Sequence, residues 1–214
     1  MRRHGVGDRV ALQAASWCLD HPDADLTSRL PQLRAALAEQ PRSEAVRLIG
    51  RLVDHLATTP PAEQRRRYVE VFDLDRKHAL YLSYWTDGDT RRRGEVLGRF
   101  KAAYRASGWL VDTGGELPDY LPIVLEFAAV ADPDAGLALL AEFRPSLELL
   151  RLALSDAGTP YADGVAAVCA VLPGASPKDR AAVAAMAGGP PTEQVGLEPY
   201  DPRLLPLHPV GERS

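Results

Sequence analysis

The stretch SEAVRLIGRLVDHL, residues 43–56, decides the fold class. Ser43 is a suitable N-cap for a helix that starts after it, because its hydroxyl can accept a hydrogen bond from a free backbone amide. The apolar side chains that follow recur three and four positions apart, which is the period of an amphipathic α-helix. They are Val46, Ile49, Val53 and Leu56. This segment therefore predicts a helix with one buried face.

The same spacing continues on both sides, whereas the period-two alternation of half-buried strands is nearly absent. Further stripes are Leu26, Leu30, Leu33 and Leu37; Gln64, Tyr68, Val71 and Phe72; Leu121, Val124, Leu125 and Ala128; and Tyr161, Val165, Val168 and Leu172. The chain is predicted to be all-α, with a single-domain helical bundle over residues 8–172. A proline- and glycine-rich C-terminal tail, partly disordered, is predicted over 173–214.

Composition excludes several classes of protein. Of 214 residues, 46% are apolar and 25% are charged, with a net charge of −4, which argues against a protein held on nucleic acid by bulk charge. No run of eighteen apolar residues is present, so stable membrane insertion is not expected. The N-terminal segment lacks a sustained apolar region, and a cytoplasmic location is expected.

Catalytic and metal-binding patterns are not found in the sequence. The five histidines lie in different segments without a ligand spacing, and no GxSxG, P-loop or GxGxxG pattern occurs. Cys18 and Cys169 sit in apolar helical patterns and are expected to be buried thiols that behave as small hydrophobes. We therefore expect no catalytic residues and no metal site, although a small-molecule enzyme on a helical scaffold stays an alternative.

The segment Tyr81–Gly94, YLSYWTDGDTRRRG, combines aromatic, acidic and basic side chains. Asp75 is expected to cap a helix carrying Tyr81 and Tyr84, and this helix should end at Asp87-Gly88. Asp89 or Thr90 would then cap the next helix. Asp87 and Asp89 are thus caps at a helix-to-helix corner, or alternatively an acid/base pair or cation site, or a polar corner that recognises a partner.

Three consecutive arginines follow this corner. Arg91, Arg92 and Arg93 could bind phosphate, but consecutive helical residues point about 100° apart, so they cannot all face one ligand. One or two of them are expected to act as an electrostatic anchor to a neighbouring acidic helix. That acidic partner exists in the sequence, because residues 106–143 contain seven Asp or Glu and no Lys, Arg or His.

A helix is predicted over Glu116–Phe127, and it is the best candidate for function. Asp119 and Glu126 are seven residues apart, or two helical turns, and should project from one side, with Tyr120 beside Asp119. A groove floored by Leu and Tyr and edged by these carboxylates would suit an amphipathic helix with basic residues. The alternative is an ordinary amphipathic helix with a solvated acidic face.

Two motifs carry a family resemblance: TDGDTRRRG at Thr86–Gly94 and ELPDYLP at Glu116–Pro122. Together with the dense match from Tyr68 to Ala129, they resemble the NarJ-type chaperones, also called the delta subunit of respiratory nitrate reductase. These belong to the wider TorD/DmsD group of redox-enzyme maturation proteins. Relatives in that group carry an EPxDH-like motif. Asp119 matches its aspartate, and Tyr120 stands where the histidine would be.

The resemblance implies a TorD-like all-α chaperone that is no enzyme, holds no cofactor of its own and is a monomer or weak dimer. It would bind the N-terminus of the catalytic (alpha) subunit of nitrate reductase. The apoprotein would thereby stay ready for the molybdenum cofactor before membrane docking. The alternative is a signal-peptide-binding chaperone for another molybdoenzyme. The residues expected to bind the client peptide are Tyr81, Tyr84, Asp87, Asp89, Asp119, Tyr120 and Glu126.

Overall fold

The computed structural model describes residues 5–87 and 91–186, and for residues 86, 87 and 91 it describes the backbone alone. The helices in chain order are α1 (Val6–Leu19), α2 (Ala24–Ala38), α3 (Glu44–Thr58), α4 (Pro61–Tyr68), α5 (Tyr84–Asp87), α6 (Arg91–Ala106), α7 (Leu121–Glu126), α8 (Pro133–Glu142), α9 (Arg144–Asp156), α10 (Tyr161–Val171) and α11 (Arg180–Met186). π-Helical turns, Val69–Asp73 and Phe127–Ala131, extend α4 and α7, and a 3₁₀ turn covers Arg76–His78. The all-α fold class is confirmed for this part of the chain.

The predicted leucine stripe of α2 is confirmed, since Leu26, Leu30, Leu33 and Leu37 are all buried. The Ser43 cap is also confirmed, because its hydroxyl accepts from the Val46 amide at 3.2 Å. Pro31 stays inside α2 without ending the helix.

Helix α3 lies at the centre and packs against α1, α2 and α10. Gly164 allows α10 to approach α3 closely, because a Cβ atom there would lie 2.7 Å from Leu52 Cδ2. Cys18 and Cys169 are buried in the same core as free thiols, as expected from their apolar surroundings. Burial raises the pKa of the Cys18 thiol to about 12, so it packs as an unreactive small hydrophobe.

Two predicted helices differ from the structure. Asp75 caps only the short 3₁₀ turn, where its Oδ1 accepts from the Lys77 amide at 2.9 Å. The chain then passes through the bridge residue Tyr81 and a turn at Leu82 and Ser83 before α5 begins. The helix predicted from Glu116 begins instead at Leu121. Both differences have one cause, because these two segments pair with each other.

The first part of the predicted tail packs on the helical body. Glu148 is 0% exposed and accepts from Arg151 Nε at 2.7 Å and from Ser176 Oγ at 2.7 Å. Arg144 Nη2 donates to the Gly174 carbonyl at 2.8 Å. Val183 of α11 is 1% exposed. Residues 173–186 are thus held against α9, while 187–214 lie outside the described residues. None of the described helices is long and apolar enough to cross a bilayer.

Candidate functional site

The candidate site is built where two segments distant in sequence pair in antiparallel fashion. Leu82 N donates to the Asp119 carbonyl at 3.1 Å, and Leu121 N donates to the Leu80 carbonyl at 2.8 Å. Tyr81 and Tyr120 form the bridge between these bonds, with ring centroids 5.4 Å apart. The pairing keeps both segments out of a helix, because their backbone groups bond across the bridge rather than along the chain.

Asp119 is 0% exposed and holds the pair together from inside. Its Oδ2 accepts from the Ser83 amide at 3.0 Å and from Ser83 Oγ at 2.6 Å. Its Oδ1 is buried and has no hydrogen-bond partner among the described residues. Bonds to a carboxylate are about twice as strong as neutral ones, so this contact fixes the two segments firmly. Asp119 therefore shapes the site without reaching its surface.

Arg93 connects α6 to the same place. Its Nε donates to Ser83 Oγ at 3.2 Å, and its Cζ lies 5.9 Å from the ring centroid of Tyr81. Arg92 is exposed, and the side chain of Arg91 lies outside the described part of the chain. Of the three predicted anchor arginines, Arg93 is thus placed at the site by described side-chain contacts.

Tyr120 forms a hydroxyl chain with Tyr68 and Asp20. Its Oη donates to Asp20 Oδ1 at 3.0 Å and lies 3.1 Å from Tyr68 Oη, which in turn lies 3.2 Å from the Leu19 carbonyl. Each hydroxyl carries one hydrogen, so two of the three contacts are donated at a time. Burial is the main cause that raises the pKa of Tyr68 and of Tyr120, and both stay protonated at neutral pH.

Glu116 reaches the site from a turn that requires glycine. Gly114 and Gly115 have φ of 59° and 91°, values that glycine adopts without steric cost. The turn places Glu116 so that its Oε2 accepts from Tyr81 Oη at 2.7 Å. Burial, followed by this bond, raises the pKa of Tyr81.

These side chains surround an open cleft of about 390 Å³, which we call the aromatic cleft. Aromatic rings and carboxylates dominate its lining, which comprises Asp20, His21, Tyr68, Phe72, Asp73, Arg76, Ala79, Leu80, Tyr81, Glu116 and Tyr120. The rings also contact one another, since the Tyr68 and Phe72 centroids are 4.8 Å apart and His21 meets Tyr68 edge-on at 5.3 Å.

The predicted site residues are only partly brought together. Tyr81 and Tyr120 line the aromatic cleft, and Tyr84 lies outside its lining, with its ring against Trp85. The side chain of Asp87 and the whole of Asp89 lie outside the described residues. The expectation that Asp119 and Glu126 project from one side of a helix is wrong, because Asp119 precedes α7 and is buried.

Glu126 instead lines a separate cleft of about 270 Å³, which shares no lining residue with the aromatic cleft. Trp109, Leu110 and Val130 border it with largely exposed side chains. The groove expected between the Asp119 and Glu126 carboxylates is therefore not formed.

Sequence reasoning missed several residues of the aromatic cleft. No sequence pattern singles out Asp20, His21 or Asp73, and Glu116 enters only as the first residue of the predicted helix and of the ELPDYLP motif. Tyr68 and Phe72 did carry a signal, because they lie in the densely matching segment and share a predicted helix face. Among the described residues, no cluster of His, Cys, Asp or Glu could hold a metal ion.

Comparison with known proteins adds the family. The family model described as nitrate reductase delta subunit matches residues 22–167, which include both paired segments. The nitrate reductase-like protein NarX of Mycobacterium tuberculosis is 42% identical over 160 residues, covering 75% of this chain and 24% of that protein. The match thus spans about a quarter of that relative.

Two further relatives are named as chaperones. The probable nitrate reductase molybdenum cofactor assembly chaperone NarJ of Bacillus subtilis is 30% identical over 155 residues, covering 72% of this chain and 84% of that protein. The nitrate reductase molybdenum cofactor assembly chaperone NarJ of Escherichia coli is 30% identical over 156 residues, covering 72% and 65%. The family model matches more than half of the chain, so the chain belongs to the nitrate reductase delta subunit family.

Proposed function

We propose that this protein is a chaperone for the catalytic subunit of respiratory nitrate reductase. It binds the N-terminal segment of that subunit and keeps the apoprotein competent for molybdenum cofactor insertion before membrane docking. The cofactor is loaded into the client, and the chaperone itself performs no reaction. The names of the Bacillus subtilis and Escherichia coli relatives support the chaperone role.

The observation that carries the proposal is the position of the aromatic cleft. Its wall is the bridge between Tyr81 and Tyr120. Tyr120 belongs to the ELPDYLP motif, and Tyr81 lies in the densely matching stretch from Tyr68 to Ala129, five residues before the TDGDTRRRG motif. A cleft of about 390 Å³ admits a few side chains rather than a whole helix. Burying such anchor side chains supplies most of the affinity in peptide recognition, and rigid aromatic walls are well suited to it.

The residues then have different roles. Tyr81 and Tyr120 contact the client, since both line the cleft. Asp119 and Arg93 are positioning residues that act through Ser83. Asp87 and Asp89 follow the cleft residue Tyr81 in the sequence, and their contact with the client stays a prediction. Glu126 lines the other cleft and is left out of the proposed contact.

The test is co-expression with the nitrate reductase catalytic subunit of the same organism, in full length and without its N-terminal segment. The chaperone should co-purify with the full-length subunit and be lost from the truncated one. Reductase isolated from a strain lacking the chaperone should contain much less molybdenum. Fully loaded, active reductase in that strain would refute the proposal, and co-purification with a different molybdoenzyme alone would reassign the client.

A further inference from the structure

We infer that the aromatic cleft selects a cationic side chain, a lysine or arginine, that lies next to an apolar anchor in the bound segment. The inference rests on the proposed function, because it specifies which chemistry of the client segment the same cleft takes. Three observations support it: carboxylates at the rim that have no Lys or Arg ion-pair partner among the described residues, an aromatic floor, and partial exclusion of water around the rings.

Three carboxylates line the cleft, those of Asp20, Asp73 and Glu116. None of them has a lysine or arginine within ion-pair distance among the described residues. Other carboxylates of this chain do, as in the pairs of Asp54 with Arg34 at 2.7 Å and Glu70 with Arg66 at 2.8 Å. Besides His21, the described lining has one basic side chain, Arg76, and it too forms no ion pair with a described residue. The cleft therefore carries an excess of negative charge that a bound cation would balance.

Two of the three carboxylates are held in place by tyrosine hydroxyls. Tyr120 Oη donates to Asp20 at 3.0 Å, and Tyr81 Oη donates to Glu116 at 2.7 Å. A carboxylate offers about four lone-pair sites, so each keeps acceptors for a donor on the client. Because the tyrosines fix their positions, less side-chain entropy is lost when a client ammonium or guanidinium binds between them.

The floor of the cleft also suits a cation. Aromatic faces attract lysine and arginine through their quadrupole, and the Tyr81 ring already has the Arg93 guanidinium 5.9 Å from its centroid. Burial is the leading cause that raises the pKa of Tyr81 and Tyr120, which indicates partial exclusion of water around the rings. The three carboxylates themselves are exposed, so each adds only a modest electrostatic gain when a cation binds. The apolar neighbour of the cation would pack on Phe72 and Leu80, which lie in the same lining.

The experiment titrates the purified protein with the N-terminal peptide of the catalytic subunit of the same organism, by calorimetry at low and high salt. Asp73→Asn and Glu116→Gln should each raise Kd about threefold to fivefold, an effect expected for partly exposed charge pairs, and should flatten its salt dependence. A peptide whose lysines and arginines are replaced by glutamine should bind the wild type and both variants with the same Kd.

Glu39→Gln is the matched control. The residue next to Glu39, Gln40, contacts Gly7 at the start of α1. Asp20 follows the other end of this 14-residue helix, about 20 Å from Gly7 at 1.5 Å per residue, so Glu39 lies far from the aromatic cleft. The Kd of the Glu39→Gln variant for the peptide should equal that of the wild type. Salt-independent binding that Asp73→Asn and Glu116→Gln leave unchanged would overturn the cation site and leave the proposed function standing. The cation site would also be overturned if the native client segment contains no lysine or arginine, or if Glu39→Gln raises Kd as much as Asp73→Asn and Glu116→Gln do. No binding by the wild type would instead refute the proposed function.

Discussion

At the scale of single residues, Asp119 and Tyr120 are neighbours with different roles. The sequence predicts both as client contacts, but the structure buries the Asp119 side chain and leaves Tyr120 in the lining of the cleft. Asp119 lies in the turn before the bridge residue Tyr120, and its side chain bonds Ser83 whereas that of Tyr120 bonds Asp20. The helical period assumed for the sequence could not reveal this, because it treats Asp119 as part of α7.

Replacing Asp119 with asparagine tests its positioning role. We expect Asp119→Asn to lower the free energy of unfolding by about 2–3 kcal/mol, since the bonds to Ser83 lose their charge and a buried NH₂ group replaces Oδ1. In the wild type, Oδ1 has no hydrogen-bond partner among the described residues. Urea denaturation measures the change.

Glu126→Gln is the comparison, because Glu126 is exposed at the end of α7. Its unfolding free energy should stay within about 0.5 kcal/mol of the wild type. If Asp119→Asn is as stable as Glu126→Gln, then the buried carboxylate does not hold the two segments together.

At the scale of elements, periodicity predicts the long helices and fails at the site. The stripes of α2 and α3 are one-sided and uninterrupted, so helical packing alone accounts for them. At Leu80 and Leu121 the backbone bonds to a partner some forty residues away, and this tertiary pairing overrides the local helical pattern. Pro118 gave a local signal, because proline disfavours helical geometry in the residue before it, here Leu117.

The contact between α8 and the π-helical turn after α7 depends on a glycine. A Cβ atom at Gly136 would lie 2.4 Å from Ala128 Cα, a backbone atom that cannot rotate away. We expect Gly136→Ala to lower the free energy of unfolding by about 1–3 kcal/mol through overpacking, measured by urea denaturation.

Gly98→Ala is the matched variant, since Gly98 lies in α6 and a Cβ atom added there would have no described neighbour within 4 Å. It should raise stability by up to about 1 kcal/mol because alanine favours the helix. A Gly136→Ala protein stabilised to the same extent would contradict the close approach of the two elements.

At the scale of the whole molecule, the fold brings together four distant parts of the chain. The end of α1, the π-helical turn after α4, the segment around Tyr81 and the segment before α7 all contribute to the aromatic cleft. Hydrophobic periodicity gives each helix a buried face but does not say which helices are neighbours. The fold class could thus be predicted from the sequence, whereas Asp20 and Asp73 could not be assigned to the site.

The buried tyrosines predict a dependence of global stability on alkaline pH. Burial raises the pKa of Tyr68, Tyr104, Tyr120 and Tyr161 above the ordinary 10.0. Below pH 10 both folded and unfolded states are protonated, so the stability is fully present. Above pH 10 the tyrosines of the unfolded state lose their protons before those of the folded state. Each buried tyrosine then lowers the free energy of unfolding by up to about 1.4 kcal/mol per pH unit. Urea midpoints at pH 9, 10 and 11 should therefore fall.

Tyr161→Phe isolates one contribution, because no described residue accepts a hydrogen bond from the Tyr161 hydroxyl. Its midpoint should fall less steeply between pH 10 and 11 than that of the wild type. Equal midpoints for the wild type at pH 9 and pH 11 would contradict the burial of these hydroxyls.

The central claim is that the aromatic cleft receives the N-terminal segment of the client, and site-specific photo-crosslinking tests it most directly. p-Benzoyl-phenylalanine is placed at Phe72 in the aromatic cleft or at Trp109 in the cleft beside Glu126. Each protein is irradiated with the N-terminal peptide of the catalytic subunit and analysed by mass spectrometry. We predict a crosslink from position 72 and none from position 109, and the reverse result would contradict the account.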